Sequence, residues 1–134
     1  GWGALIVIQR ETGLRSYKDQ GMQIRGEVTP SLLLSIFSPS SPLHDGAVII
    51  QNDLIDSAAC ILPLTESKMI DSEMGTRHRA AIGISEETDA IVIIVSEEKS
   101  KVSVAENGKF VKRNLRESTL EKYLNDKMFI STED

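Results

Sequence analysis

Residues 90–95 run Ala-Ile-Val-Ile-Ile-Val without a polar break. β-Branched side chains are stiff at χ1 and pack well on a pleated surface. A half-buried strand would alternate polar and apolar residues, so an unbroken run fits a strand covered on both faces. A fold built around it must supply a layer on each side. Residues 4–9 form a second apolar run, and Ala47–Gln51 and residues 54–62 read as two strands around Asn52-Asp53. Residues 102–105 and 110–113 flank Asn107-Gly108, the strongest hairpin turn in the chain. The covering layers are expected from helices. Thr29 is placed to cap a helix with Pro30 at its first position, and Leu32, Leu33, Ile36 and Phe37 give it an apolar face. Residues 38–42, Ser-Pro-Ser-Ser-Pro, end it.

A second helix is expected from a Thr76 cap to about Glu86, with Ala80, Ala81 and Ile84 facing inward. Residues 10–20, turning at Gly13, and 63–72 read as loops; 119–124 reads as a closing helix and 126–134 as a frayed tail. The pattern predicts an α/β fold of the α+β type: a single domain over residues 1–134, with a central mixed, mainly β sheet flanked by helices.

Composition narrows the function classes. The 134 residues carry a formal net charge of -5, which speaks against non-specific nucleic-acid binding over the whole surface. One cysteine, Cys60 in an apolar stretch, reads as a small buried residue and cannot form an internal disulfide. No apolar run approaches the roughly 20 residues of a membrane span, so no direct membrane contact by this segment is expected. The start at a strand-like run without Met reads as a domain of a longer protein.

Three stretches could carry chemistry. His44-Asp45-Gly46 follows a Pro-rich turn and precedes a strand, a place where a scaffold can present a carboxylate. Asp oxygens suit Mg²⁺ or Mn²⁺, although Asp-Gly is also a common turn pair. Gly75-Thr76-Arg77-His78-Arg79 puts two Arg and a His in the first turn of a helix, whose dipole favours anions there. A phosphate would relieve that conflict, because free N–H groups, a hydroxyl and Arg forks all converge on it. A solvated basic turn stands beside that possibility, since Glu66 and Glu73 are the acids near in sequence. Ser96-Glu97-Glu98 follows the 90–95 strand, where open sheets place ligand groups and where solvated turns are also common.

These stretches, in this order, resemble the diadenylate cyclase domain family over about residues 3–125. The most specific motifs are the Asp-Gly-Ala at Asp45-Gly46-Ala47 and the Arg-His-Arg at Arg77-His78-Arg79. Residues 3–7, 10–14, 62–64 and 95–98 support it, and 10–14 most resemble the branch tethered to the membrane by N-terminal helices. The resemblance implies condensation of two ATP into cyclic di-AMP with release of pyrophosphate, aided by Mg²⁺ or Mn²⁺, at the interface of a face-to-face homodimer. It implies a cytoplasmic domain of a parent anchored in the bacterial membrane, and it admits regulatory protein partners. It makes Asp45, Gly46, Arg77 and His78 catalytic. It assigns nucleotide contacts to Ile61, Leu62, Gly75, Thr76, Arg77, His78, Arg79, Ser96 and Glu97, and metal ligands to Asp45, His44 and Glu97. Many relatives carry an aromatic residue where this chain has Ile61. A sensor domain that binds nucleotide without reacting it is the alternative.

Overall fold

The computed structural model describes residues 2–67, 75–97 and 101–116, with Thr119, Lys122 and Leu124 beyond them. The chain runs β1 (Ala4–Ile8), α1 (Arg15–Lys18), β2 (Met22–Glu27), α2 (Pro30–Phe37), β3 (Ala47–Gln51), β4 (Leu54–Cys60), α3 (Thr76–Glu87), β5 (Ile91–Val95), β6 (Val102–Glu106) and β7 (Lys109–Leu115). The strands form one seven-stranded sheet in the order β2-β4-β3-β1-β5-β6-β7. β1 and β3 pair in parallel, while the other neighbours pair antiparallel, so the sheet is mixed, as expected, and mainly antiparallel.

Alternation along the strands divides the core. Leu5, Val7, Ile49, Val92 and Ile94 face Ala80, Ala81 and Ile84 of α3. Val48, Ile55 and Ala58 pack instead with Ile36 and Phe37 of α2 on the opposite face. β5 is buried along Ile91–Ile94, which is why its run needs no polar residues. Both hairpin turns have positive φ at their central pair, Asn52 at 52° with Asp53 at 64° and Asn107 at 53° with Gly108 at 80°. That backbone matches the twist of the flanking strands. Thr29 caps α2 as expected, its hydroxyl accepting from the Leu32 N–H at 3.1 Å. Cys60 is free and buried, and burial pushes its thiol pKa up.

Four local expectations are corrected. The expected loop 10–20 contains the one-turn helix α1 and buries Leu14, a piece too short to show helical periodicity. Its entrance is fastened by Asp89, whose carboxylate accepts from the N–H groups of Glu11 (3.0 Å) and Thr12 (2.9 Å). β2 was not expected at all. It is an edge strand with a bulge between Gln23 and Gly26 and a left-handed Arg25, so its sequence does not alternate. β4 ends at Cys60 rather than at Leu62. Gly75, not Thr76, is the N-cap of α3, and Thr76 is its first helical residue. Residues 68–72, the tail 126–134 and most of the expected helix 119–124 lie outside the described residues; Thr119, Lys122 and Leu124 are helical.

Candidate functional site

Strand register gathers the expected residues at one end of the sheet. β1 runs beside β3 with Ile6 opposite Val48, which puts Gly3 level with Asp45. β5 runs against β1 with Ala4 opposite Val95, so Ser96 and Glu97 leave the sheet at that same end. β4 ends there too, Ala47 lying opposite Cys60, with Ile61 and Leu62 following. The first turn of α3 closes the set, because the Arg77 Nη1 lies 3.6 Å from the Glu97 Oε1.

On the β3 side, Ser41 shapes the loop: its hydroxyl accepts from the Leu43 N–H at 3.1 Å. Its carbonyl takes the His44 Nδ1 at 2.8 Å. A carbonyl only accepts, so Nδ1 carries a proton and the other ring nitrogen, Nε2, faces outward. That Nε2 stands 3.3 Å from the Asp45 Oδ1, and the Asp45 side chain is 87% exposed. The pair sets an imidazole nitrogen and a carboxylate oxygen side by side at the mouth of the site. Gly46 has φ of +94°, and a Cβ there would lie 2.9 Å from the Ala59 carbonyl carbon and the Cys60 oxygen. Glycine is therefore required by the close approach of β4 and by a left-handed backbone. The close approach seats the Asp45 loop against the end of β4.

α3 begins without a side-chain cap and without an acidic residue in its first turn. The Arg79 N–H is bonded to the Gly75 carbonyl at 3.2 Å, so those of Thr76, Arg77 and His78 have no intrahelical acceptor. The acid that meets Arg77 is Glu97, from the end of β5, and not Glu66; Glu73 lies outside the described residues. His78, the histidine of the same turn, faces the sheet. It is half-buried and packs edge-on against Phe110 of β7, ring centroids 5.8 Å apart, while Arg113 covers the same ring at 5.3 Å. Burial, then the charges of Arg113 and Arg77, hold its pKa below 6.5, so the ring is neutral at pH 7.

The strip after β4 is fixed along α3 by the Thr65 N–H, which donates to the Arg79 carbonyl at 3.1 Å. Leu62 is a core residue at 8% exposure, whereas Ile61 is 67% exposed. The strip lies so close to α3 that a Cβ at Gly83 would be 1.9 Å from the Pro63 carbonyl oxygen. Gly3 and Gly83, together with Phe110 and Arg113, shape the site, although the sequence gives none of them a chemical role. Among the described residues no group of three or more His, Cys, Asp and Glu could hold a metal ion. Glu97 thus does not join His44 and Asp45: β1 lies between their strands, and two strand spacings amount to about 10 Å. An apolar hollow of about 400 Å³ on the α2 face, walled by Trp2, Leu33, Leu34 and Phe37, has no charged lining residue and is unsuited to phosphate.

Comparison with known proteins adds three kinds of relative. A family model described as DAC, the nucleotide-binding region of the DisA bacterial checkpoint controller, matches residues 1–110. Cyclic di-AMP synthase CdaA of Bacillus subtilis strain 168 is 51% identical over 132 residues, covering 98% of this chain and 48% of its own. The chain therefore spans about half the length of that curated relative. The crystal structure of a double mutant of DacA from Staphylococcus aureus superposes with a TM-score of 0.91 at 45% identity, covering 96% of this chain and 85% of that one. A structure described as a hypothetical membrane spanning protein from Bacillus cereus gives 0.80 at 50% identity, covering 84% and 55%.

Proposed function

Because the chain belongs to the DAC family, we propose that it is the catalytic domain of a diadenylate cyclase, joining two ATP into cyclic di-AMP. The observation that carries this is the gathering of an exposed Asp45-His44 pair and an uncapped, Arg-bearing helix start at one end of one sheet. The relatives named as cyclic di-AMP synthase and diadenylate cyclase support the same chemistry.

The free N–H groups at the start of α3, the Thr76 hydroxyl and the Arg77 guanidinium form the triphosphate cradle. Arg79 and Ser96 flank it, and Gly75 stands at its mouth, with nothing among the described residues within 4 Å of a Cβ there. Ile61 supplies an apolar face for adenine, with the Leu62 backbone beside it. Asp45 receives the proton of an attacking 3′-hydroxyl. That oxygen bonds to the α-phosphorus of the other ATP, the bond to the bridging oxygen breaks, and pyrophosphate leaves. The same exchange on the second pair closes the ring. Neutral His78 sets the turn through its packing on Phe110.

His44 Nε2 and Asp45 form an N/O donor pair that fits Mg²⁺ or Mn²⁺. When bound, such an ion neutralises phosphoryl charge and eases deprotonation of the hydroxyl. Glu97 serves Arg77 instead. Two donors leave most of the coordination shell to phosphate and water. One domain offers one cradle, so the second ATP comes from a second copy facing it. Activity per subunit should then rise with protein concentration, and a strictly constant value in a monomeric sample would refute the two-copy site. A parent anchored in the membrane is supported by the description of the Bacillus cereus relative. The anchor would lie elsewhere in the parent, since among the described residues no helix is long and apolar enough to cross a membrane.

The test is incubation with ATP and Mn²⁺ followed by chromatography. Cyclic dinucleotide supports the enzyme. ATP that is bound and recovered unreacted would make the domain a sensor.

A further inference from the structure

Gly3 precedes β1 and is buried, yet its backbone conformation is not one that demands glycine. What demands it is space. Alternation along β1 puts position 3 on the same face as Leu5 and Val7, the face that packs against α3. A Cβ at position 3 would stand 2.4 Å from Nη1 of Arg77, 2.6 Å from its Cζ and 3.0 Å from its Nε. The guanidinium therefore lies flat in the slot where a side chain would be. The same Nη1 also meets Glu97, whose Oε1 is 3.6 Å away. Glu97 follows β5, whose Val95 pairs with Ala4, so slot and carboxylate belong to adjacent strands.

Set against the strand backbone and beside the Glu97 carboxylate, the Arg77 guanidinium has fewer rotamers open to it before any ligand arrives. An ordered fork gives up less entropy on binding phosphate than a free one. We infer that Gly3 is a positioning residue, whose missing side chain holds the Arg77 guanidinium in line with the start of α3. This rests on the phosphate role proposed for Arg77. The obstruction a Cβ would create is the far end of a flexible side chain, so Gly3→Ala displaces Arg77 more readily than it disturbs the fold.

A double-substitution cycle tests it, with 3′-deoxy-ATP as the calorimetric probe because it lacks the attacking hydroxyl. Gly3→Ala should weaken its binding at least about five-fold in the native background, the scale of one good hydrogen bond. In an Arg77→Ala background the same change should have no effect. Equal loss in both backgrounds, or no loss in the native one, overturns the inference. Should Gly3→Ala unfold, the combined Gly3→Ala, Arg77→Ala chain must regain a folded Tm; continued unfolding also overturns it. The Arg77 Nε–H resonance of the nucleotide-free protein gives an independent reading. It must shift on Gly3→Ala, and an unmoved signal refutes the slot. If the native chain binds no nucleotide, the phosphate role of Arg77 fails, and the resonance still decides whether Gly3 positions it.

Discussion

Gly75→Asp should raise stability and lower nucleotide affinity together. Gly75 is the N-cap of α3 with extended backbone, φ -77° and ψ -177°, which Asp adopts readily. A Cβ there meets nothing within 4 Å among the described residues, so the change introduces no clash with them. An Asp carboxylate would accept from a free N–H of the first turn and complement the helix dipole. The capping gain over Gly is about 0.3 kcal/mol and the dipole gain about 0.3–1 kcal/mol. Together they amount to about 0.6–1.3 kcal/mol, a rise in Tm of about 2–5 °C for a domain of this size. The same carboxylate would sit where the triphosphate is proposed to bind. Two like unit charges 4 Å apart repel by about 1 kcal/mol in a fully aqueous setting and more where water is excluded. Affinity for 3′-deoxy-ATP should therefore fall at least about five-fold. Differential scanning calorimetry and titration calorimetry on the same preparation read both effects. A higher Tm with unchanged or tighter nucleotide binding would refute the cradle at the start of α3.

Asp45→Asn should abolish cyclic dinucleotide while leaving Tm within about 2 °C, since the side chain is 87% exposed; a variant that cyclises normally removes Asp45 from the mechanism. His78 is held neutral below its ordinary pKa of 6.5, so the unfolded chain binds its proton more readily. Its contribution is thus complete above pH 6.5 and declines as pH falls below that value, and His78→Phe should flatten this part of a stability–pH profile measured by urea unfolding. Gly83→Ala should destabilise by about 0.5–3.5 kcal/mol, from overpacking against Pro63 and the strained Thr65–Arg79 bond, less the helix-propensity gain of Ala. An unchanged Tm in thermal unfolding would contradict the close crossing of the strip and α3.

Much of the architecture was legible because local chemistry and tertiary placement agree. Ile91–Ile94 are buried, Thr29 and Pro30 open α2, and the two hairpin turns expected at Asn-containing pairs form there. What escaped depends on partners distant in the chain. β2 is an edge strand whose bulge breaks alternation, and α1 is a single turn held by Asp89 from the far side of the domain. The site followed the same rule. Asp45 and Arg77 sit in local motifs and could be found as such. Glu97 pairs with Arg77 only because β5 lies beside β1, and no spacing between positions 77 and 97 announces it. The packing of His78 depends on Phe110, which a hairpin turn brings back to α3. Gly3 and Gly83 carry no chemistry of their own; their meaning is the atom that lies where a Cβ would be.

The most direct measurement is the product balance when the purified chain is incubated with ATP and Mn²⁺, followed by chromatography and a pyrophosphate assay. The account predicts one cyclic dinucleotide and two pyrophosphates for every two ATP consumed, at a rate per subunit that increases with protein concentration. Bound ATP returned unreacted, or pyrophosphate released with only mononucleotide product, would contradict it.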